Sequence, residues 1–427
     1  MRLLPTSVPL LLALGAIVFP TQSPKVAAAK APHIVVVVAE GSGFPFEDPA
    51  FAGFPALRKL RANSRPFDSV FADDASWTGT KDTLLAAAGA RGPAELVRAL
   101  KRKGYATTAV SATGVASGGF DQSVKALPTE LSARVLQSLK SAGSSRAFVY
   151  ASLDLRKVPA AANPVVPPAT PITVPAIALS DRAPLDPVRF PVTPPPRETA
   201  DRGALASSRQ AAYGLLDREI SALLAGLARE GLLSETVIAL VSIGPSPRPE
   251  RAAPPRQDLL FEDWLRGLLL IQVPGMKHPG VTASTLARMS DLAPTLAALG
   301  GATLVQPQGL NLAPALGDPA RIIRETVLSD AARQGPRIGR SVRTDQFRFT
   351  QWPDGSQELF DETADPREWN NLAQVPAMRA RKAELAKYLD RPLRTGKPTP
   401  GRAGTGRPLN VLMIIGDDLT AQYGQFG

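Results

Sequence analysis

His33-Ile34-Val35-Val36-Val37-Val38-Ala39, followed by Glu40 and the Gly41-Ser42-Gly43 stop, is the stretch that decides the fold. A β-branched run with no polar alternation does not suit a half-exposed sheet, because every second side chain would face water. It reads as a central parallel strand covered on both faces. Helices must then supply the two covers. Pro93 to Lys103 has apolar residues at helical spacing, between Pro93 at its start and Gly104 at its stop. Tyr105 to Ala112 follows as a strand, Leu131 to Lys140 as a helix and Ala147 to Leu153 as a strand. This alternation predicts an α/β fold, a doubly wound and mostly parallel sheet.

Further along, twelve prolines fall between Pro159 and Pro196, which excludes helix and central strand there and predicts an extended surface excursion. Arg209 to Gly231 resumes as an amphipathic helix with Tyr213, Leu216, Ile220, Leu223, Leu224 and Leu227 on one stripe. Val237 to Ser242 and Leu268 to Val273 are two more buried strands, and Leu286 to Leu299 a helix closed by Gly300 and Gly301. Arg340 to Asp361 alternates and turns at Asp354-Gly355, an antiparallel hairpin, before a last helix at Ala377 to Leu389. The main α/β domain is therefore expected over 31–335 and a small C-terminal antiparallel α+β subdomain over 336–390. A basic Pro/Gly-rich linker follows at 391–408. Leu409 to Asp418 then repeats the pattern of residues 33–41, so 409–427 reads as the opening strand of a second domain.

Arg2, the apolar run Val8 to Phe19 and Ala27-Ala28-Ala29 read as an export signal over residues 1–30. That run is shorter than the roughly twenty residues a membrane span needs. No later stretch is long and apolar enough, so the chain is expected to be exported, periplasmic or extracellular, with no stable membrane span. The sequence holds 427 residues and no cysteine, which excludes disulfides, zinc–thiolate centres and a thiol nucleophile in it. Two histidines, His33 and His278, leave little scope for imidazole chemistry; each reads as structural or solvated. The net charge of +11 favours anionic partners. No dense basic run with interleaved aromatics supports nucleic acid as one of them.

Gly339 to Ala373 (GRSVRTDQFRFTQWPDGSQELFDETADPREWNNLA) resembles the C-terminal subdomain of the type I sulfatases of the alkaline-phosphatase superfamily, closest to the iduronate-2-sulfatase-like members. Gln272-Val273-Pro274-Gly275 and Ser290-Asp291-Leu292-Ala293-Pro294-Thr295-Leu296 are similar to two further runs of that family. Arg407-Pro408-Leu409-Asn410 to Asp417-Asp418 looks like the usual opening of a sulfatase domain. The resemblance implies an alkaline-phosphatase-like fold over residues 32–390. It also implies hydrolysis of sulfate esters by a formylglycine made from Cys or Ser in a C/S-x-P-S-R motif, with calcium orienting the sulfate.

This sequence departs from that pattern at the chemistry. Trp77 stands at the nucleophile position and cannot become an aldehyde; Gly79 and Lys81 replace the Pro and Arg, with Thr80 between them, and Ser76 lacks the flanking residues. Glu40 and Gly41 take the place of an Asp pair, so Glu40 offers one metal carboxylate or is merely an exposed charge at a strand end. Ser242-Ile243-Gly244-Pro245 replaces a ligand segment, and Ser111-Ala112-Thr113-Gly114 replaces a basic pair that would bind sulfate. Arg256 stands beside the position of a further expected lysine. Residues 31–390 are thus expected to bind no calcium and to be catalytically silent, a partner domain of a tandem sulfatase. Asp417 and Asp418 would be calcium ligands of the second copy. The alternative is a non-enzymatic module whose Lys81 and Arg256 hold sulfated or anionic glycans.

Overall fold

The computed structural model describes residues 31–40, 53–75, 94–112, 119–155, 199–244, 260–305, 307–332, 338–353, 355–366, 368 and 370–389, without the side chains of 94, 199–209, 243, 332 and 338. The expected export signal over 1–30, the expected Pro159–Pro196 excursion, the expected linker over 391–408 and residues 409–427 lie outside the described residues, as do Trp77, Thr80, Lys81, Arg256, Asp417 and Asp418.

The strands of the main sheet are β1 (His33–Glu40), β2 (Arg65–Phe71), β3 (Tyr105–Ser111), β4 (Gln122–Lys125), β5 (Arg146–Asp154), β6 (Thr236–Ile243), β7 (Arg266–Gln272) and β8 (Ala287–Arg288). They lie in the order β4-β3-β5-β1-β6-β7-β2-β8. β1 is central and pairs in parallel with β5 and β6. Its side chains divide between two cores. Ile34, Val36 and Val38 pack with Leu96 and Leu100 of α2 (Ala94–Arg102) and Leu292 and Leu296 of α6 (Leu292–Leu299). Val35, Val37 and Ala39 pack with α1 (Pro55–Ala62), α3 (Leu131–Ser141) and α4 (Thr199–Arg229). The unbroken β-branched run is therefore covered on both faces, as a run without alternation requires.

Two acidic residues of α4 tie that layer together. Asp217 accepts the Leu57 backbone N–H at 2.8 Å and Glu219 accepts that of Ser132 at 2.8 Å. Each carboxylate thus satisfies an orphan donor at the N-terminus of a neighbouring helix, α1 or α3, where the helix dipole favours negative charge. The Asp217 carboxyl is nevertheless pushed up by burial, against the pull of the Leu57 and Ala56 backbone donors and of nearby Arg58 and Arg218.

Several elements differ from the sequence expectation. β7 runs antiparallel to both β6 and β2, so the Leu268–Val273 run is not one of the parallel strands. β2 has no clean period, because Asp68 and Ser69 interrupt it where the register shifts between Phe67 and Val70. The helix expected from Leu286 begins only at Leu292: Ala287 and Arg288 pair with β2, and Asp291 accepts the Arg288 N–H at 2.8 Å. α4 starts ten residues before Arg209, at Thr199.

The C-terminal sheet has the order β12-β11-β10-β9, built from β9 (Val327–Ala332), β10 (Ile338–Arg343), β11 (Phe347–Gln351) and β12 (Gln357–Asp361), all neighbours antiparallel. Gly355 lies in the β11–β12 turn as the alternation predicts and takes φ +84° there, a left-handed value open to glycine; Asp354 lies outside the described residues. α7 (Ala313–Gly317) and α8 (Arg379–Leu389) complete the elements with α5 (Glu262–Leu265), the short helix that leads into β7. Leu385 and Leu389 of α8 cover Val342, Phe349 and Leu359. The two sheets meet where Asp74 bridges Asp330 and Phe71, Leu265, Val327, Ala331 and Trp352 share one core.

Candidate functional site

In an open parallel sheet, ligands bind beyond the carboxyl ends of the strands, at the point where strand order reverses. Here that point lies at β1, between β5 and β6. The strands end there in polar residues: Glu40 on β1, Ser152 and Asp154 on β5, Ser242 on β6 and Ser111 on β3.

Register places four of these on one face. Glu40 pairs with Asp154, and Ser111 pairs with Ser152, which itself pairs with Val38 two residues before Glu40. Residues paired across parallel strands and residues two apart along one strand share a face. The Ser152 hydroxyl donates to the Glu40 carboxylate. Glu40 is 4% exposed, which corrects the reading of an exposed charge at a strand end. A carboxylate so placed must be satisfied from within, and the Ser152 hydroxyl contributes to that. Ser111 is also buried, and its hydroxyl has no hydrogen-bond partner. Ser242 pairs with Ala39 and so faces the other side.

A second polar group fixes the chain where it enters the segment carrying Trp77 and Lys81. The Asp73 carboxylate accepts the Ser290 N–H at 2.9 Å and the Ser290 hydroxyl at 2.8 Å, and pairs with Arg288. Ala75 donates its N–H to the Asp330 carbonyl at 2.8 Å. The Asp330 carboxyl is pushed up to about 6 by burial and by the neighbouring Asp74, against Arg340 and Arg288. Asp73, Ser290 and Asp330 were not singled out from sequence. Ser290-Asp291 did stand inside a family-like run, and that was the only signal available.

The two histidines sit away from chemistry. His33 is buried and its Nδ1 accepts the Ala147 N–H at 3.1 Å. His278 is exposed in a turn at φ 51°, and its carbonyl accepts a hydrogen bond from Arg65 at 3.0 Å. A depression lined by Asn63, Leu233, Gln272, Pro274 and Met276 lies at the far end of β7. Because β7 is antiparallel to β6, that end belongs to the opposite edge of the sheet, remote from Glu40 and Asp154.

Calcium takes six to eight oxygens, roughly, with several carboxylates converging. Among the described residues no group of three His, Cys, Asp or Glu is arranged to hold a metal ion. At the edge itself, Glu40 already accepts the Ser152 hydroxyl, and β6 ends in Ser242-Ile243 and brings no carboxylate there. The described residues do not fit the ion that the resemblance implies.

No known family profile matches the chain. Two curated proteins share sequence with it. An ulvan-active sulfatase of Formosa agariphila is 27% identical over 203 residues, 44% of this chain and 37% of that protein. A choline-sulfatase of Rhizobium meliloti is 30% identical over 182 residues, 41% of this chain and 34% of that protein. The matches thus span little more than a third of each curated relative. Among solved structures, a protein in complex with its substrate D-glucosamine-2-N,6-O-disulfate aligns with a TM-score of 0.63 at 16% identity, over 84% of this chain and 97% of its own. A phosphonate monoester hydrolase of Agrobacterium radiobacter aligns with a TM-score of 0.64 at 17% identity, over 84% of this chain and 94% of its own. At such identities the likeness is one of fold, and one fold serves different bonds. The mixed eight-stranded sheet with its appended antiparallel sheet, together with the sequence shared with two curated sulfatases, makes this chain a relative of the type I sulfatases, with their alkaline-phosphatase-like fold.

Proposed function

We propose that residues 31–390 form a sulfatase-fold domain that does not hydrolyse sulfate esters and acts as the partner of a catalytic one. The observation that carries this reading is the Glu40–Ser152 hydrogen bond at the head of β1. A carboxylate at the position of a metal ligand is instead buried and bonded to a neighbouring strand. The residue types agree: Trp77 in place of an oxidisable residue, Gly79 and Lys81 in place of the flanking Pro and Arg, and Ser242-Ile243-Gly244-Pro245, which holds no carboxylate, in place of a ligand segment. Calcium would then bind elsewhere, at Asp417 and Asp418, within a second copy that Leu409 opens. Residues 1–30 would direct export.

The test is an aryl-sulfate assay on the purified chain, with calcium measured in the same preparation. The expected result is no turnover above buffer, and no calcium retained after dialysis once Asp417 and Asp418 are replaced by Ala. Turnover lost on chelation and restored by calcium overturns the reading.

A second reading has its own support. The net charge is +11, and one solved relative of the same fold was obtained with a disulfated glucosamine. The chain would then hold sulfated glycans without cutting them, through cations such as Lys81 and Arg256. Binding of sulfated oligosaccharides would weaken steeply with salt, because exposed charges more than about 10 Å apart are screened at 0.1 M. No binding at low salt removes this second reading and leaves the first untouched.

A further inference from the structure

Five charged side chains are sealed between the two sheets: Glu262, Arg343, Arg348, Glu362 and Glu368, each less than a tenth exposed. Glu262 opens α5, and the residue after α5 begins β7 of the main sheet. Arg343 closes β10, Arg348 lies on β11, and Glu362 and Glu368 follow β12. The Phe71 ring of β2 lies under both guanidiniums, its centroid 5.6 Å from Arg343 and 5.5 Å from Arg348. The main sheet thus supplies the floor and Glu262, and the C-terminal sheet supplies the rest.

The charges do not balance. Glu262 is fully engaged: it accepts from Arg343 Nε at 3.0 Å and from Arg348. Glu368 pairs with Arg348 Nε at 2.9 Å and accepts the Glu262 backbone N–H at 2.7 Å. Glu362 is the third carboxylate against two guanidiniums. It lies 3.4 Å from Arg348 Nε and 3.7 Å from Arg343 Nε, and neither of its oxygens has a hydrogen-bond partner. Arg266 acts on the cluster from β7, through Glu262. Glu358, also buried, lies on β12 four residues before Glu362. An uncompensated carboxylate in such a place is driven to its neutral form.

We propose that this cluster is a proton-loaded clamp, in which neutral Glu362 closes the junction and loss of its proton releases the C-terminal sheet from α5 and the main sheet. The titration of the members agrees. Burial, then Glu262 and Glu368, push the Glu362 carboxyl up to about 9, against Arg348 and Arg343. Burial would raise Glu262 too, but Arg348 and Arg343 hold it down at about 2. Opening exposes Glu362 to water, where its carboxyl returns to 4.5. The closed junction is therefore fully favoured below that value and weakens as pH rises through 9.

Limited proteolysis of the full chain and of Glu362→Gln, followed across the neutral and alkaline range, reads the opening. The expected ratio of cleavage rates within β10–β12, wild type over variant, rises by up to about tenfold per pH unit until it levels near pH 9. Parallel profiles for the two proteins overturn the clamp. Where the variant does not fold, the infrared spectrum of the unmodified chain decides. A protonated-carboxyl band present at about pH 8, when ordinary carboxylates are ionised, and lost on further alkalinisation is expected. Its absence overturns the proposal.

Discussion

Ser152 and Glu40 show how one hydroxyl changes the reading of a carboxylate. Glu40 is buried at the head of the central strand, and the Ser152 hydroxyl donates to it. Removing that donor leaves a buried carboxylate less satisfied, so Ser152→Ala is expected to destabilise the fold by about 1–3 kcal/mol. Chemical denaturation at neutral pH measures it, and an unchanged midpoint would show that Glu40 is held by other groups. Arg65 is a second residue of this kind. It is fully buried, and its guanidinium donates to the carbonyls of Lys277 at 2.9 Å, His278 at 3.0 Å and Leu316 at 3.1 Å, and to that of Val281. It ties β2 to the turn around His278. Arg65→Met keeps the stem but strips those carbonyls of their donor, with an expected loss of at least about 1–3 kcal/mol in chemical denaturation, the cost of leaving a buried acceptor unsatisfied.

At the scale of elements, α4 organises one face of the sheet. Its apolar stripe of Tyr213, Leu216, Ile220, Leu223 and Leu227 is legible from sequence and buried as the spacing predicts. Its polar contribution is not. Asp217 and Glu219 are two residues apart, so they leave the helix in different directions and reach the N-termini of different helices. Asp217→Ala is expected to cost about 1 kcal/mol, the usual effect of losing an N-terminal carboxylate acceptor. Amide exchange should quicken in the first turn of α1 and not in α3. The reciprocal pattern is expected for Glu219→Ala.

Across the whole molecule, pH acts on the junction between the sheets. The carboxyl of Glu262 falls from 4.5 to about 2, so its stabilisation is complete above 4.5 and is lost as pH drops toward 2. Glu362 goes from 4.5 to about 9 and Asp330 from 3.8 to about 6, so both favour the folded state at low pH and lose that effect as pH rises. The stability maximum is therefore expected near pH 4–5, roughly, with a decline toward pH 9. Denaturant midpoints measured across that range test it; a flat profile between neutrality and pH 9 would contradict the placement of Glu362.

What sequence alone determined is what local chemistry carries. A β-branched run without alternation must be buried on both faces, and the family-like text from Gly339 to Ala373 marks the C-terminal sheet. The fold followed from these. Strands such as β2 and β9 were not legible, because their polar residues find partners far along the chain: Ser329 donates to the Ala72 carbonyl at 2.6 Å, and the Asp68 carboxylate accepts the Thr282 hydroxyl at 3.1 Å. Tertiary structure alone decided that β7 runs antiparallel, that Glu40 is buried against Ser152, and that three carboxylates and two guanidiniums share one sealed space. Each of these depends on groups scores of residues apart in sequence, and desolvation acts on them only once the two sheets have closed.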